Sequence, residues 1–145
     1  MPPISVFFTL DSVVARQNLG SRAEAMPGAR STLDALDAQG VPTAVLTNGA
    51  SALARALLES LDAIPHALVA AEDVGAPMPA PAMIFRACEV LGVAPWEVLV
   101  VGMSENDKRA AASAGALFAS IHGVSGNFNM TTLGEILSIT DGTHP

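Results

Sequence analysis

Three short polar clusters in this chain combine chemically useful residue types with positions where chemistry is done. Thr9, Asp11 and Ser12 follow Val6-Phe7-Phe8, a β-branched and aromatic run that is strand-forming material. In an α/β protein with a parallel sheet, ligands sit at the carboxyl ends of the strands. An acid placed there is better positioned for chemistry than an acid elsewhere on the surface. Asp11 also has a plainer reading, as a turn or cap acid bonding backbone N–H groups of the loop that follows. Thr47 and Asn48 close a second apolar run and precede a helical stretch. Backbone N–H groups at such a place can cradle an anion, but Thr and Asn also cap helices without binding anything. Asp107 ends a third cluster, Gly102-Met103-Ser104-Glu105-Asn106-Asp107. It stands before the small-residue helix KRAAASAGA, where a carboxylate complements the helix dipole.

The elements that must position these residues alternate between strand and helix. Ser5 to Phe8 reads as a strand, and residues 12–28, ending in Pro27-Gly28, read as an excursion or loop. Arg30 to Gln39 carries Leu33, Ala35 and Leu36 at helical spacing and is stopped by Gly40. Pro42 to Leu46 is a short strand, and Ser51 to Leu61 a helix with Leu53, Leu57, Leu58 and Leu61 on one face. His66 to Ala70 is a third apolar run, followed by the proline-rich stretch 75–81. A helix from Ala82 to Leu91 is closed by Gly92. Glu97 to Val101 is the clearest strand, Leu117 to Ile121 a fifth, and Thr131 to Ile139 a last helix. Thr131 or Thr132 is its N-cap, with Glu135 as the reciprocal partner. Five apolar runs separated by helical patterns predict a five-stranded parallel sheet with helices on both faces. No internal repeat or linker divides residues 1–145, which read as one domain with a frayed tail from Asp141.

Composition narrows the function classes. A chain of 145 residues fits one domain. Half of the residues are hydrophobic and mean hydropathy is +0.44, yet no apolar run approaches the ~20 residues that span a bilayer. The start lacks the basic flank and cleavage pattern of a signal peptide, so a soluble, cytoplasmic protein without membrane contact is expected. Net charge is −7 with only seven Lys plus Arg and no basic stripe, which excludes nucleic acid as a partner. The single cysteine, Cys88, rules out an internal disulfide, suits a reducing compartment and reads as a small buried hydrophobe. His66, His122 and His144 share no metal-ligand spacing.

Several stretches together carry a family resemblance: SVFFTLDSVV, VLTNGA, VGAPMPAPAMIF and LGVAPWEVLVVGMSEND with the following AASAGA. In this order the chain resembles the haloacid-dehalogenase-like (HAD) superfamily of phosphatases and phosphotransferases, from the first strand to about Ala119. The resemblance implies a three-layer, Rossmann-like α/β core. It also implies a mechanism of positioning and electrostatic stabilisation around a carboxylate nucleophile and Mg²⁺. An Asp ending strand one attacks phosphorus, and an Asp two residues on is the general acid/base. A Ser or Thr after strand two holds phosphate oxygens, a Lys compensates charge, and acids after strand four help bind the metal.

Residue by residue, the resemblance breaks at the charges. The nucleophile position holds Thr9, the acid/base position keeps Asp11, and Ser12 stands where a Gly is usual. Thr47 matches the phosphate-binding hydroxyl, with Asn48 after it. Met78 replaces the Lys of KPAP, Ala82 the Asp often found after it, and Met103 the first acid of GDSEND, whereas Asp107 is kept. Two carboxylates and one ammonium are therefore missing together. Losing only one would leave its partners desolvated and unpaired, so joint loss indicates a site converted to uncharged packing. With Asp107 as the remaining metal acid, Mg²⁺ is expected only if catalysis survives, since that ion wants carboxylate and other oxygen ligands. Met78 and Met103 read as packing residues, because no Cys or His accompanies them. Asp141-Gly142-Thr143 imitates a family tripeptide, but no strand precedes it.

Many relatives insert a cap domain after strand one. Residues 12–28 are too few for a folded module of at least ~50 residues, so a capless core with an open site is expected. The reading is a HAD-like domain that has lost phosphatase activity and serves as a binding, regulatory or assembly module, through a protein partner or as a homodimer. The alternatives are a phosphoric-ester hydrolase with an atypical site built on Asp11, Thr9 and Thr47, and a purely structural subunit.

Overall fold

Strands form where β-branched and aromatic residues concentrate, and the chain winds between them through helices. The computed structural model describes residues 2–15 and 24–143. β1 (Ser5–Thr9) runs into a single turn, α1 (Leu10–Val13), and then into β2 (Val14–Ala15), which pairs antiparallel with β3 (Glu24–Ala25). α2 (Ala29–Ala38) leads to β4 (Thr43–Thr47), and α3 (Ser51–Ser60) to β5 (Ala67–Ala70). The short α4 (Ala71–Val74) and then α5 (Ala82–Leu91) precede β6 (Val98–Gly102). α6 (Glu105–Ala114), β7 (Leu117–Ile121), β8 (Phe128–Met130) and α7 (Ile136–Thr140) follow.

The main sheet has the order β5-β4-β1-β6-β7-β8, and every neighbouring pair in it is parallel. The chain winds outward from β1 on one side through β4 and β5, then returns to its other side at β6. That reversal opens a crevice at the carboxyl ends of the central strands, the usual ligand position in doubly wound sheets. Every residue of β1, β4 and β6 is buried, as expected for strands covered on both faces. Alternate residues feed two cores. Val6, Phe8, Val45, Leu99 and Val101 pack with Leu33 and Leu36 of α2, Ala54 and Leu58 of α3, and Ile136 and Ile139 of α7. Phe7, Leu46, Val69 and Val100 pack with Met83, Ile84 and Ala87 of α5 and Ala110 and Ala111 of α6.

The α/β architecture agrees with the sequence expectation, with differences at its margins. The sheet has six strands rather than five, because β8 adds a three-residue edge with Asn129 exposed. Leu53, expected on the buried face of α3, is 48% exposed; Ala54 and Leu58 are the buried pair there. The last helix begins as a 3-10 turn, Leu133–Glu135, and Glu135 accepts the N–H groups of Thr131 and Thr132. In the expected tail, Thr143 donates its N–H to the Ser138 carbonyl, and its N–H and hydroxyl both reach Asp141. Residues 16–23 of the expected loop, and His144 with Pro145, lie outside the described residues. No helix among the described residues is long and apolar enough to cross a membrane.

Candidate functional site

The ends of β1 and β4 and the turn after β6 converge on one hollow of about 70 Å³. It is lined by Thr9, Leu10, Asp11, Leu46, Thr47, Asn48, Met78 and Asp107. Six of the residues singled out in the sequence, Thr9, Asp11, Thr47, Asn48, Met78 and Asp107, therefore share it. Met103 does not line it, but its backbone N–H donates to Asp107 Oδ2 at 3.0 Å. Parallel pairing accounts for the convergence: Thr9 is in register with Leu46, one residue before Thr47, and Phe8 with Val101, one residue before Gly102.

Each polar group has a definite local assignment. Thr9 is 6% exposed, and its Oγ1 is the one buried side-chain polar atom among the described residues that lacks a hydrogen-bond partner. Ser12 donates to the Thr9 carbonyl at 2.7 Å and lies 3.4 Å from that of Val101, tying the α1 turn to two strands. Asp11 is exposed in that turn. Thr47 Oγ1 accepts the Gly49 N–H at 3.0 Å, a local turn bond that leaves its hydroxyl proton free to donate. Asn48 accepts the Met78 N–H at 2.9 Å and so joins the β4 turn to the proline-rich segment.

Asp107 is turned toward its own backbone. Its Oδ2 accepts from Met103 and Ser104, while its own N–H donates to Ser104 Oγ at 3.2 Å. This is a reciprocal N-terminal cap on α6. Gly102 makes it possible, since a Cβ there would stand 2.7 Å from Asp107 Oδ2. Met78 is buried in the core under α5 and α6, and Met103 packs against the core on the opposite face. The two methionines thus belong to hydrophobic packing on either side of the sheet.

Two features escaped the sequence reading. Glu72 Oε1 accepts the Ser51 N–H at 2.6 Å, so a carboxylate of this chain already occupies the start of α3 next to Thr47-Asn48. Its signal in sequence was absent, because Glu72 comes from the turn after β5. Gly102 was visible only as part of a motif, and its role needs the folded-back Asp107.

The electrostatics follow from these placements. Asp11 and Asp107 line the hollow, and no Lys or Arg does. A phosphate would meet two carboxylates with no compensating cation. The residues do not fit the Mg²⁺ that the family resemblance implies. A hard cation takes oxygen ligands, but Asp107 Oδ2 is engaged by two N–H groups, and position 103 offers a thioether. Among the described residues no cluster of three or more His, Cys, Asp or Glu is arranged to hold a metal.

A family model described as haloacid dehalogenase-like hydrolase matches residues 3–115. The chain is 32% identical over 126 residues to a phosphoglycolate phosphatase of Chromobacterium violaceum, covering 86% of this chain and 56% of that one. It thus spans about half the length of that relative. A HAD-superfamily hydrolase from Geobacter sulfurreducens superposes with a TM-score of 0.73 at 30% identity, over 80% of this chain and 61% of that one. A HAD-superfamily hydrolase from Ehrlichia chaffeensis, covered to 98% in both chains, reaches a TM-score of 0.84 at 14% identity, a likeness of fold alone. Strand order, converging motif positions and sequence identity agree: the chain belongs to the haloacid dehalogenase-like hydrolase family.

Proposed function

We propose that this domain uses a phosphatase fold without phosphatase chemistry, as a regulatory or assembly module that binds a protein partner or a second copy of itself. The observation that carries this reading is how the lost charges are accommodated. Met78 is buried in one core and Met103 packs on the other. The retained acid, Asp107, holds its own helix cap. The Thr9 hydroxyl is hydrogen-bonded to no group among the described residues, a base included, and a hydroxyl nucleophile needs a base in contact with it. The capless, open hollow suits a macromolecular partner in the cytoplasm better than a small phosphorylated metabolite.

A second reading is favoured by one observation: Thr9, Asp11, Thr47 and Asn48 still line one hollow, and the curated relative quoted above is a phosphatase. Here the domain hydrolyses a phosphoric ester, with Asp11 as acid/base and Thr47 holding phosphate oxygens. Turnover of an aryl phosphate and a panel of phosphorylated metabolites, with and without Mg²⁺, separates the two. The first reading expects silence from the wild type and slow Mg²⁺-dependent turnover from the combined Thr9→Asp, Met78→Lys, Met103→Asp variant. Wild-type turnover abolished by Asp11→Asn would overturn it in favour of the second.

A further inference from the structure

A second set of hydrogen-bond donors lies outside the motif hollow. Lys108 is the only lysine in the chain. It is half-buried and lines a separate hollow of about 380 Å³ with Ala112, Ala116, Phe118, Ser125, Gly126 and Asn127. Neither ion pair among the described residues, Arg30–Asp62 or His66–Asp37, involves it. Consecutive residues at the start of α6 thus line different hollows, Asp107 the motif hollow and Lys108 this one.

The wall facing Lys108 is built rather than incidental. Asn127 accepts the Phe118 N–H on Oδ1 at 2.8 Å, which fixes its amide so that the NH₂ group is its remaining polar end. Asn129 Oδ1 accepts both the Gly126 N–H at 3.0 Å and the Ser120 hydroxyl at 3.2 Å. Gly126 lies against Phe118 so closely that a Cβ would stand 2.7 Å from the Phe118 ring and 2.8 Å from its carbonyl oxygen. Gly126 and Asn127 are therefore held in place before any ligand arrives, and this lowers the ordering cost of binding.

We propose that this hollow is a binding site for a small organic monocarboxylate. The ammonium of Lys108, the NH₂ of Asn127 and the hydroxyl of Ser125 form a donor-rich set suited to a carboxylate. Ala112, Ala116 and the Phe118 ring give the apolar surface for a compact carbon body. One positive charge matches one negative charge, whereas a phosphate dianion would bring a surplus charge to a protein of net charge −7. A volume of this order takes a molecule of benzoate size. The site stands independently of what the motif hollow does.

The test is a titration of the full chain with sodium benzoate, followed by backbone amide NMR, with benzamide and inorganic phosphate as parallel probes. Benzoate is expected to give saturable shifts at Phe118, Gly126 and Asn127, and benzamide none. Lys108→Gln is expected to weaken benzoate by about tenfold or more, the scale of a lost charge-assisted hydrogen bond, and Lys108→Arg to keep most of the affinity. Dispersed amide spectra of both variants establish that they are folded. Equal binding of benzamide, unchanged affinity in Lys108→Gln, or shifts confined to other residues would overturn the site. Tighter binding of inorganic phosphate at the same three amides would overturn its assignment to carboxylates.

Discussion

Asp107 holds the backbone of Met103, which stands where the family resemblance implies an acid: its Oδ2 accepts the Met103 N–H at 3.0 Å and the Ser104 N–H at 3.2 Å. An acid in a metal site turns its oxygens toward the ion; this one turns an oxygen toward two backbone donors at the start of α6. One oxygen of the acid that would argue most directly for metal chemistry is therefore used by the helix cap.

Asp107→Ala is accordingly expected to destabilise the fold by about 1–2 kcal/mol, the scale of a lost helix cap. Asp11→Asn should change stability by less than about 0.5 kcal/mol, since Asp11 is exposed. Urea denaturation of the two variants checks both values. A neutral Asp107→Ala would sink the capping account.

Thr9 makes the opposite case. Its hydroxyl is buried and has no partner among the described residues, and a buried hydroxyl without a hydrogen bond is a cost to the fold. Thr9→Val keeps the shape and removes the unpaired group, so stability is expected to rise by about 1 kcal/mol in urea denaturation. Destabilisation instead would mean that the hydroxyl holds a water or a ligand in solution, which would favour the hydrolase reading.

The main elements were legible because their signals are local. Ala82–Leu91 with Gly92 behind it is a helix with its stop written beside it, and Gly92 does take the left-handed conformation at φ 69°. The strand runs are continuous apolar text, as sheets covered on both faces require. β8 was not legible: Phe128-Asn129-Met130 is three residues long and follows Gly126-Asn127, and its pairing with β7 depends on long-range docking. Leu53 misled because helical spacing alone placed it on the apolar face, while Ala54 is the residue that packs. In the site, the departures from the family motif could be read from residue types. The occupation of the α3 start by Glu72 could not, because it joins positions twenty-one apart.

The uncharged residues at the motif positions also have an energetic signature. Met78 is 5% exposed, so Met78→Lys alone places an ammonium in an apolar core, at an expected cost of about 3 kcal/mol. Thr9→Asp alone buries a carboxylate in place of a hydroxyl and should be destabilising as well. Both residues line the same hollow. The double variant is therefore expected to be more stable than the sum of the single effects by about 1 kcal/mol or more. A double-mutant cycle by chemical denaturation measures this coupling. Strict additivity would mean that the two positions do not couple and that a charge pair cannot be built between them.

Cys88 offers a prediction in the alkaline range. It is buried on α5, and burial, with a smaller contribution from the Glu97 carboxylate, raises its pKa from 9.0 to about 11. The unfolded chain therefore releases the thiol proton at lower pH than the folded one. Stability owed to the neutral thiol is complete below pH 9 and is lost as pH rises toward 11. The chain has no tyrosine and a single lysine, so few other groups obscure this window. Denaturation midpoints from pH 8 to 11 should fall more steeply for the wild type than for Cys88→Ala, and native Cys88 should resist iodoacetamide at pH 8 until urea is added. Rapid alkylation of the native protein, or parallel pH profiles for the two proteins, would show that the thiol is not held neutral by the fold.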